Sequence, residues 1–308
     1  IGCLLCALSP TIALLIFSRV IQAIGCCGLV VLGFAVARDH YKGSKLAKIY
    51  SHLYGFNAIS PIIAPFIGSY VDIYLGWRAT FLVLLLLSCL NLMTLYFFLP
   101  ESLPAEKRKP YFLRDNLRTY QRLLTNKTFL LYTLVTGFGL SYLYLFCALS
   151  PFLIIRDLHI PEHHYGFYFS YMGISFLLGS FITSRYVAKL GIGKTCLLGL
   201  LLSLIGGLWM ALWYFQFGLT LHGFIYPMLL IGGGGTICLS AGNAGAMSPF
   251  GKDTGAAAAL SGTIRYLFAS LTGLIAINDH AASTMPLGLP AIIFSIVGLY
   301  LLRRVDNS

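Results

Sequence analysis

Charged residues are scarce in this sequence, and acidic residues are the scarcest. Only 10% of its 308 residues are charged, with 10 Asp or Glu against 21 Lys or Arg. A soluble domain carries about 25% charged residues, so this balance excludes an ordinary water-soluble fold. None of the long apolar stretches contains an Asp or Glu. That absence argues against an enzyme active site within the membrane, which would need clustered His, Asp or Glu at that depth.

The cysteines indicate neither a disulfide framework nor a metal site. All eight lie within apolar stretches, and none has the spacing of a metal-ligand set. The adjacent Cys26 and Cys27 are interpreted as small packing residues, because free cysteine behaves as a small hydrophobe. We therefore expect no bound metal.

Long apolar windows are abundant and predict the topology. A membrane-spanning helix needs about 20 apolar residues, because the hydrocarbon core is about 30 Å thick and each helical residue rises 1.5 Å. Nine complete spans are predicted from the gaps between charges: 11–37, 49–71, 79–100, 128–155, 163–184, two within 195–251 that turn near Gln216 to His222, 254–278 and 280–302. The sequence therefore predicts an all-α integral membrane protein.

The basic residues orient these spans. Of the 21 Lys and Arg, 17 follow alternate spans and so fall on one side of the membrane. Loops rich in Lys and Arg face the cytoplasm, which also places the C-terminus there. The net charge of +11 is thus explained by orientation and by anionic lipid headgroups, and no nucleic-acid partner is expected.

The chain opens on Ile1 to Ser9, an apolar stretch about half as long as a span needs. It begins with Ile rather than Met and shows no signal peptide. We interpret it as an N-terminally incomplete copy of a larger protein.

One hydrophilic stretch, 101–127, divides the chain. Within it, apolar residues recur at helical spacing while Arg114, Arg118 and Arg122 share another face. Such a basic amphipathic helix is expected on the inner leaflet and is interpreted as a cytoplasmic linker, although an ordinary solvated loop is the alternative. It separates an incomplete half-bundle, residues 1–100, from a six-helix bundle, residues 128–308. Six spans after the linker imply six before it, so two and a half are missing.

Several local patterns resemble those of a transporter family. Arg19, Gln22 and Gly25 match the R-x-x-Q-x-x-G signature of the fourth helix in facilitator drug exporters. A second segment is similar to the fifth-helix antiporter motif, with Pro61, Ala64, Pro65 and Gly68. A third set of residues resembles a degenerate form of the family's cytoplasmic loop motif: Asp39, Gly179, Arg185, Lys189 and Gly191. These patterns together resemble the Bcr/CflA drug-resistance branch of the major facilitators. Three further segments share this resemblance: Leu99 to Leu103, Tyr120 to Asn126 and Gly255 to Gly262.

This resemblance implies a fold and an activity. The fold is two pseudo-symmetric six-helix bundles, with the first two and a half helices missing from this chain. The activity is proton-driven export of small, mostly apolar antibiotics, of the bicyclomycin or chloramphenicol type, across the bacterial inner membrane by alternating access. The expected partners are drug, protons and lipid; the protein is expected to be a monomer that needs a proton gradient and no other cofactor. In the family an acidic residue of the first helix serves proton coupling, and its position would precede Ile1.

Two arginines lie inside predicted spans, where a charge is costly. Arg19 is interpreted as a proton-coupling residue that stabilises the ionised form of the first-helix acid; a structural arginine bonded to helix carbonyls is the alternative. Arg265 either binds an anionic group of the substrate or pairs across the two halves, and the sequence does not decide between these roles.

Pro61, Pro65 and Gly68 predict a kinked helix that approaches a neighbour closely. Family resemblance favours a gating role, against a passive kink. The run Gly232 to Gly235 predicts close helix packing, because no Gly-Lys-Ser/Thr follows as a phosphate loop requires.

Drug contacts are expected from aromatic and weakly polar side chains in a cavity between the bundles. Eight residues are candidates because of their depth within the predicted spans: Asn57, Asn91, Tyr142, Tyr144, Tyr171, Met172, Asn243 and Arg265. Each of them is equally suited to burial between helices. Two other functions stay open: a facilitator that imports a small metabolite, which would predict more charged or amide side chains in the spans, and an inactive truncated relic.

Overall fold

The structure, a computed structural model, describes residues 1–40, 49, 60, 63–98, 113–250, 254–277 and 283–306. These residues form helices joined by short turns, and no strand occurs among them. The chain divides into two compact units, Ile1–Tyr111 and Phe112–Ser308.

The first unit contains four described helices: α1 (Gly2–Ala7), α2 (Ile12–His40), α3 (Ile63–Leu75) and α4 (Trp77–Phe98). The short α1 packs on α2 and α4 around a small core of Cys6, Ala7 and Phe81. Gly76 makes the turn between α3 and α4 at φ +80°, a left-handed conformation that favours glycine. The Nη2 of Arg78, just after this turn, donates a hydrogen bond of 3.2 Å to the backbone oxygen of Ser9.

The second unit contains seven helices: α5 (Leu113–Thr125), α6 (Lys127–Pro151), α7 (Glu162–Leu190), α8 (Ile192–Phe217), α9 (Leu221–Met247), α10 (Thr254–Ile277) and α11 (Met285–Asp306). A π-helical segment, Phe152–Asp157, continues α6 beyond Pro151. Gly191 and Gly218, at φ +80° and +69°, end α7 and α8 and let the chain reverse.

Within the described part of the chain, seven helical segments are long and apolar enough to cross a membrane: Trp77–Phe98, Lys127–Asp157, Glu162–Leu190, Ile192–Phe217, Leu221–Met247, Gly255–Ala276 and Met285–Arg303. They confirm the predicted spans from residue 79 onward, including two within 195–251, since α8 ends at Phe217 and α9 begins at Leu221. The helix α2, Ile12–His40, covers the predicted span 11–37 from residue 12 onward, and α3, Ile63–Leu75, covers the last part of the predicted span 49–71. Most of the first half of 49–71 lies outside the described residues.

Glycines bring α9 into close contact with its neighbours, as predicted for Gly232 to Gly235. All four are buried. A Cβ on Gly234 would collide with the backbone oxygen of Gly199 on α8, and one on Gly235 would lie 2.8 Å from the ring of Tyr142 on α6. Helices without side chains at the crossing approach more closely, which favours packing inside a membrane. The core of the second unit is therefore built around α9.

The predicted amphipathic helix is present as α5, and it packs against other helices of the second unit. The two units divide between Tyr111 and Phe112, inside the stretch predicted as a linker, so α5 belongs to the second unit. Leu123 is 0% exposed and packs in a cluster with Phe129 and Phe250. Part of its apolar face is thus covered by protein rather than offered wholly to lipid.

Candidate functional site

Arg19 lies in the third turn of α2 and bonds to uncharged neighbours. Its Nη1 donates a hydrogen bond of 2.9 Å to Oε1 of Gln22, one turn further along the helix. Its guanidinium lies over the ring of Phe81 on α4, 4.8 Å from the ring centroid. A cation over an aromatic face is stabilised by the ring quadrupole. Arg19 is thus held between α2 and α4 while its side chain stays exposed within the first unit.

Gln22 joins Arg19 to α1. Its Nε2 lies 3.1 Å from Sγ of Cys3, and its Oε1 also accepts a long contact of 4.0 Å from Sγ of Cys6. A Cβ added to Gly2 would lie only 2.5 Å from the Gln22 backbone, so α1 and α2 touch at this point. Gly25, the third residue of the signature, has no atom within 4 Å of an added Cβ.

The α3 motif is described only in part. Pro61 and Asn57, which belong to the predicted gate and cavity, lie outside the described residues. Ala64 is exposed and Pro65 is half-buried, and no described residue of the first unit lies within 4 Å of a Cβ added to Gly68. The close helix approach predicted for this motif therefore stays a prediction.

Arg265 on α10 brings together three of the predicted cavity residues. Its Nη1 donates a hydrogen bond of 2.7 Å to Oδ1 of Asn243 on α9. Its guanidinium lies 5.5 Å from the ring centroid of Tyr266, whose ring meets that of Tyr144 on α6 edge to face at 6.3 Å. The Nε of Arg265 is buried and has no hydrogen-bond partner among the described residues. These four residues, Tyr144, Asn243, Arg265 and Tyr266, are referred to below as the Arg265 cluster.

Tyr142 takes the second of the two places that the sequence left open for it, burial between helices. Its side chain is 0% exposed and stacks on Phe294 of α11, with the ring centroids 6.3 Å apart. Its hydroxyl lies 3.4 Å from Oγ of Ser295. The structure places Tyr142 in the core of the second unit, because α6 and α11 pack against each other at this point. A residue in that position does not line an open cavity.

Tyr171 and Met172 line a narrow pocket between α6, α7 and α9. The other lining residues are apolar or aromatic: Phe146, Tyr168, Ile225, Met228 and Leu229. The space between these side chains is too narrow to admit a water molecule. Sites for drug-sized ligands enclose about 300–1,000 Å³, so this pocket does not hold a drug as it stands. Asn91, the remaining candidate, is exposed on α4.

The residues assigned to the cytoplasmic loop motif do not all lie in a loop. Arg185 and Lys189 are exposed near the end of α7, and Gly191 makes the turn that follows. Gly179, in contrast, is buried within α7, where an added Cβ would collide with the backbone oxygen of Gly233. Its role here is helix packing, which corrects the loop assignment. Asp39 lies in the last turn of α2.

Sequence reasoning did not select several residues that touch the two arginines. Tyr266 directly follows Arg265 in the sequence. An aromatic residue next to a charged one at membrane depth is a pattern from which this contact could have been predicted. Phe81 and Cys3 contact the Arg19 and Gln22 pair from other helices, and nothing in the local sequence indicates that. Among the residues that the structure describes, no group of three or more His, Cys, Asp or Glu is placed to hold a metal ion.

Comparisons with known proteins agree with this architecture. Residues 1–273 match the family model of the Major Facilitator Superfamily. An uncharacterized MFS-type transporter of Bacillus subtilis, YdgK, is 27% identical over 303 residues, covering 96% of this chain and 73% of that protein. A bicyclomycin resistance protein homolog of Haemophilus influenzae is 25% identical, covering 92% of this chain and 72% of that protein.

A third relative is the chloramphenicol resistance protein CraA of Acinetobacter baumannii. It is 25% identical, covering 75% of this chain and 54% of that protein. The family match extends over both units and well beyond half of the chain, and five of the described helices that lie wholly within it have the length and composition of membrane spans. The chain therefore belongs to the Major Facilitator Superfamily and is a multi-pass membrane transporter rather than an enzyme.

Proposed function

We propose that this transporter is a proton-coupled antiporter that exports small drugs of the bicyclomycin and chloramphenicol type. It acts as a monomer in the bacterial inner membrane, by alternating access, with its C-terminus in the cytoplasm. The names of two relatives, a bicyclomycin resistance protein homolog and a chloramphenicol resistance protein, support this substrate class. The excess of Lys and Arg on one side of the spans supports the orientation.

The observation that carries the proposal is the pairing of Arg19. Its hydrogen-bond partner, Gln22, is neutral, and its other contact is the ring of Phe81. Of the carboxylates whose side chains the structure describes in the first unit, none pairs with it. A charge at membrane depth costs about 2.5–3.5 kcal/mol on insertion scales. An arginine at that depth whose described hydrogen-bond partner is a neutral amide indicates a role that an apolar residue cannot fill.

The proposed role is electrostatic. A carboxylic acid that approaches Arg19 in one conformation is favoured in its ionised form, because the guanidinium stabilises the anion. Separation of the two groups in the other conformation removes this stabilisation and favours protonation. Proton uptake and release then alternate with the two conformations, which links them to the passage of drug. The neutral partner Gln22 holds Arg19 in place without neutralising its charge.

The helix α3 supplies the proposed gate. Pro65 removes a helix hydrogen bond and permits a kink, and Gly68 leaves the helix surface without a side chain. No described residue of the first unit occupies the space within 4 Å of a Cβ at Gly68. We propose that a helix of the second unit closes against it in one state, so that a side chain at position 68 would hinder closure.

Expression of the protein from its complete gene in a drug-sensitive bacterium tests the proposal. Cells are expected to survive higher concentrations of chloramphenicol or bicyclomycin, and Arg19→Ala is expected to abolish this resistance while the protein remains in the membrane. Arg303→Gln removes an exposed arginine at the end of α11 and is expected to change nothing. Full resistance in the Arg19→Ala strain would overturn the proposed role.

A further inference from the structure

The Arg265 cluster in the second unit has a hydrogen-bond donor without an acceptor, and no carboxylate of the described residues pairs with it. We propose that it is a subsite for the anionic group of an aromatic substrate, with Arg265 and Asn243 binding a carboxylate and Tyr266 contacting the ring. The inference rests on the proposed function only in taking the ligand to be a transport substrate. It names a substrate class, aromatic organic anions, that the relatives' names do not contain.

The charge of Arg265 is not compensated within its own unit. The residue lies inside the apolar segment Gly255–Ala276, in the membrane span formed by α10. Its side-chain hydrogen bond goes to a neutral amide, that of Asn243, and in the described part of the second unit no carboxylate pairs with it. Charged groups at this depth normally pair with each other or face a water-filled cavity. An anion from outside the unit would supply the missing pair.

The hydrogen-bond donors point to the same ligand. The Nε of Arg265 is buried without a partner, although an arginine whose role is purely structural has its donors satisfied. The side-chain oxygen of Asn243 accepts from Arg265, which leaves the amide nitrogen of Asn243 as a further donor. A carboxylate has two oxygens and accepts from arginine in a bidentate manner, so it matches this set better than a single neutral acceptor does.

Two tyrosines supply the apolar part of the subsite. Tyr266 follows Arg265 on α10 and is 49% exposed, so one side of the cluster is open to the outside of the unit. Its ring is held edge to face by Tyr144 on α6, 6.3 Å away. A half-exposed ring fixed beside a guanidinium can stack on an aromatic ligand while the ligand's charge binds the guanidinium. The cluster therefore selects for a ring and an anionic group joined in one small molecule.

Two ligands of similar shape, one charged and one neutral, test this inference. The complete protein is placed in nanodiscs of phosphatidylcholine, without a proton gradient, and binding of 4-nitrobenzoate and of neutral 4-nitrobenzamide is measured by quenching of its tryptophan fluorescence. The wild type is expected to bind the anion more tightly than the amide. Arg265→Gln is expected to weaken anion binding about 10- to 100-fold, the effect of losing a hydrogen-bonded charge pair, and to change amide binding less than about twofold.

Three variants separate binding from structure. Arg265→Lys keeps the charge but loses the planar fork, and is expected to retain part of the preference for the anion. Tyr266→Ala is expected to weaken both ligands, because both carry the ring. Arg303→Gln, which removes an exposed arginine remote in sequence, is expected to leave both affinities unchanged.

An equal loss of both ligands in Arg265→Gln would overturn the inference, as would a wild type without preference for the anion. The second result is expected if an acidic side chain of the protein already occupies Arg265. The preference of the wild type decides the matter even if Arg265→Gln fails to fold. Since no proton gradient is present, failure of proton-coupled export would leave this binding result standing, and anion binding by itself would not establish export.

Discussion

The backbone oxygen of Gly235 on α9 occupies the space that a Cβ on Gly139 of α6 would need. The two helices cross there with no side chain between them. Gly139→Ala would therefore push α6 away from α9, and overpacking of this kind costs about 1–3 kcal/mol. We expect a lower melting temperature of the purified protein in detergent.

Gly262→Ala on α10 is the matched control for that substitution. No atom of the second unit lies within 4 Å of a Cβ at this position, and alanine favours the helix by up to about 1 kcal/mol. The control is expected to leave the melting temperature unchanged or to raise it. Equal destabilisation by both substitutions would show that the α6 and α9 crossing is not as close as described.

Adjacent leucines on α5 test how that helix is attached. Leu123 is 0% exposed in its cluster with Phe129 and Phe250, whereas Leu124 is 46% exposed. Leu123→Ala is expected to destabilise the second unit by about 2–5 kcal/mol, the cost of a cavity at a buried leucine. Leu124→Ala is expected to have a much smaller effect. Guanidinium or thermal unfolding in detergent measures both, and a reversed order would contradict the packing of α5 on the bundle.

Gln22→Glu tests whether Arg19 must remain without a counter-ion. Because Oε1 of Gln22 already accepts from Arg19 at 2.9 Å, a glutamate there would form an ion pair without rearrangement. The guanidinium would then no longer attract a proton-carrying acid, so drug export is expected to fall while the protein remains folded. Drug accumulation in cells measures this, with Gln216→Glu at the exposed end of α8 as control. Normal export by Gln22→Glu would contradict the role assigned to the unpaired charge.

Tyr142→Phe separates a core residue from a cavity residue. It removes the hydroxyl that lies 3.4 Å from Ser295 Oγ and leaves the packed ring in place. A net loss of about 0.5–1.5 kcal/mol of stability is expected, with an unchanged set of exported drugs. A changed set of exported drugs at unchanged stability would show that Tyr142 contacts the drug.

The sequence was sufficient for most of the membrane-spanning helices. Charge-free windows predict α4 and α6 to α11, since an apolar run of that length has one stable form in a membrane, and Gly232 to Gly235 correctly predicts close packing. Side-chain direction was not predictable in the same way. Tyr142 and Tyr144 are two residues apart on one helix, yet one is in the core and the other meets Tyr266.

Depth within a span selects both tyrosines equally, and only packing against other helices separates them. The same limit explains Gly179, whose spacing to Arg185 and Lys189 resembles a loop motif. Its contact with Gly233 on another helix assigns it to packing instead. A contact between residues that are distant in the sequence, such as Phe81 and Arg19, produces no pattern in the local sequence from which it could be predicted.

Exchange of protons for drug tests the central claim most directly. The complete protein is reconstituted into liposomes that hold a pH-sensitive dye and a proton gradient, and chloramphenicol or bicyclomycin is then added. Drug is expected to cross the membrane while protons move the opposite way, and both movements are expected to vanish in Arg19→Ala and to persist in Arg303→Gln. Drug transport that continues at full rate without a proton gradient, or without any proton movement, would contradict the account.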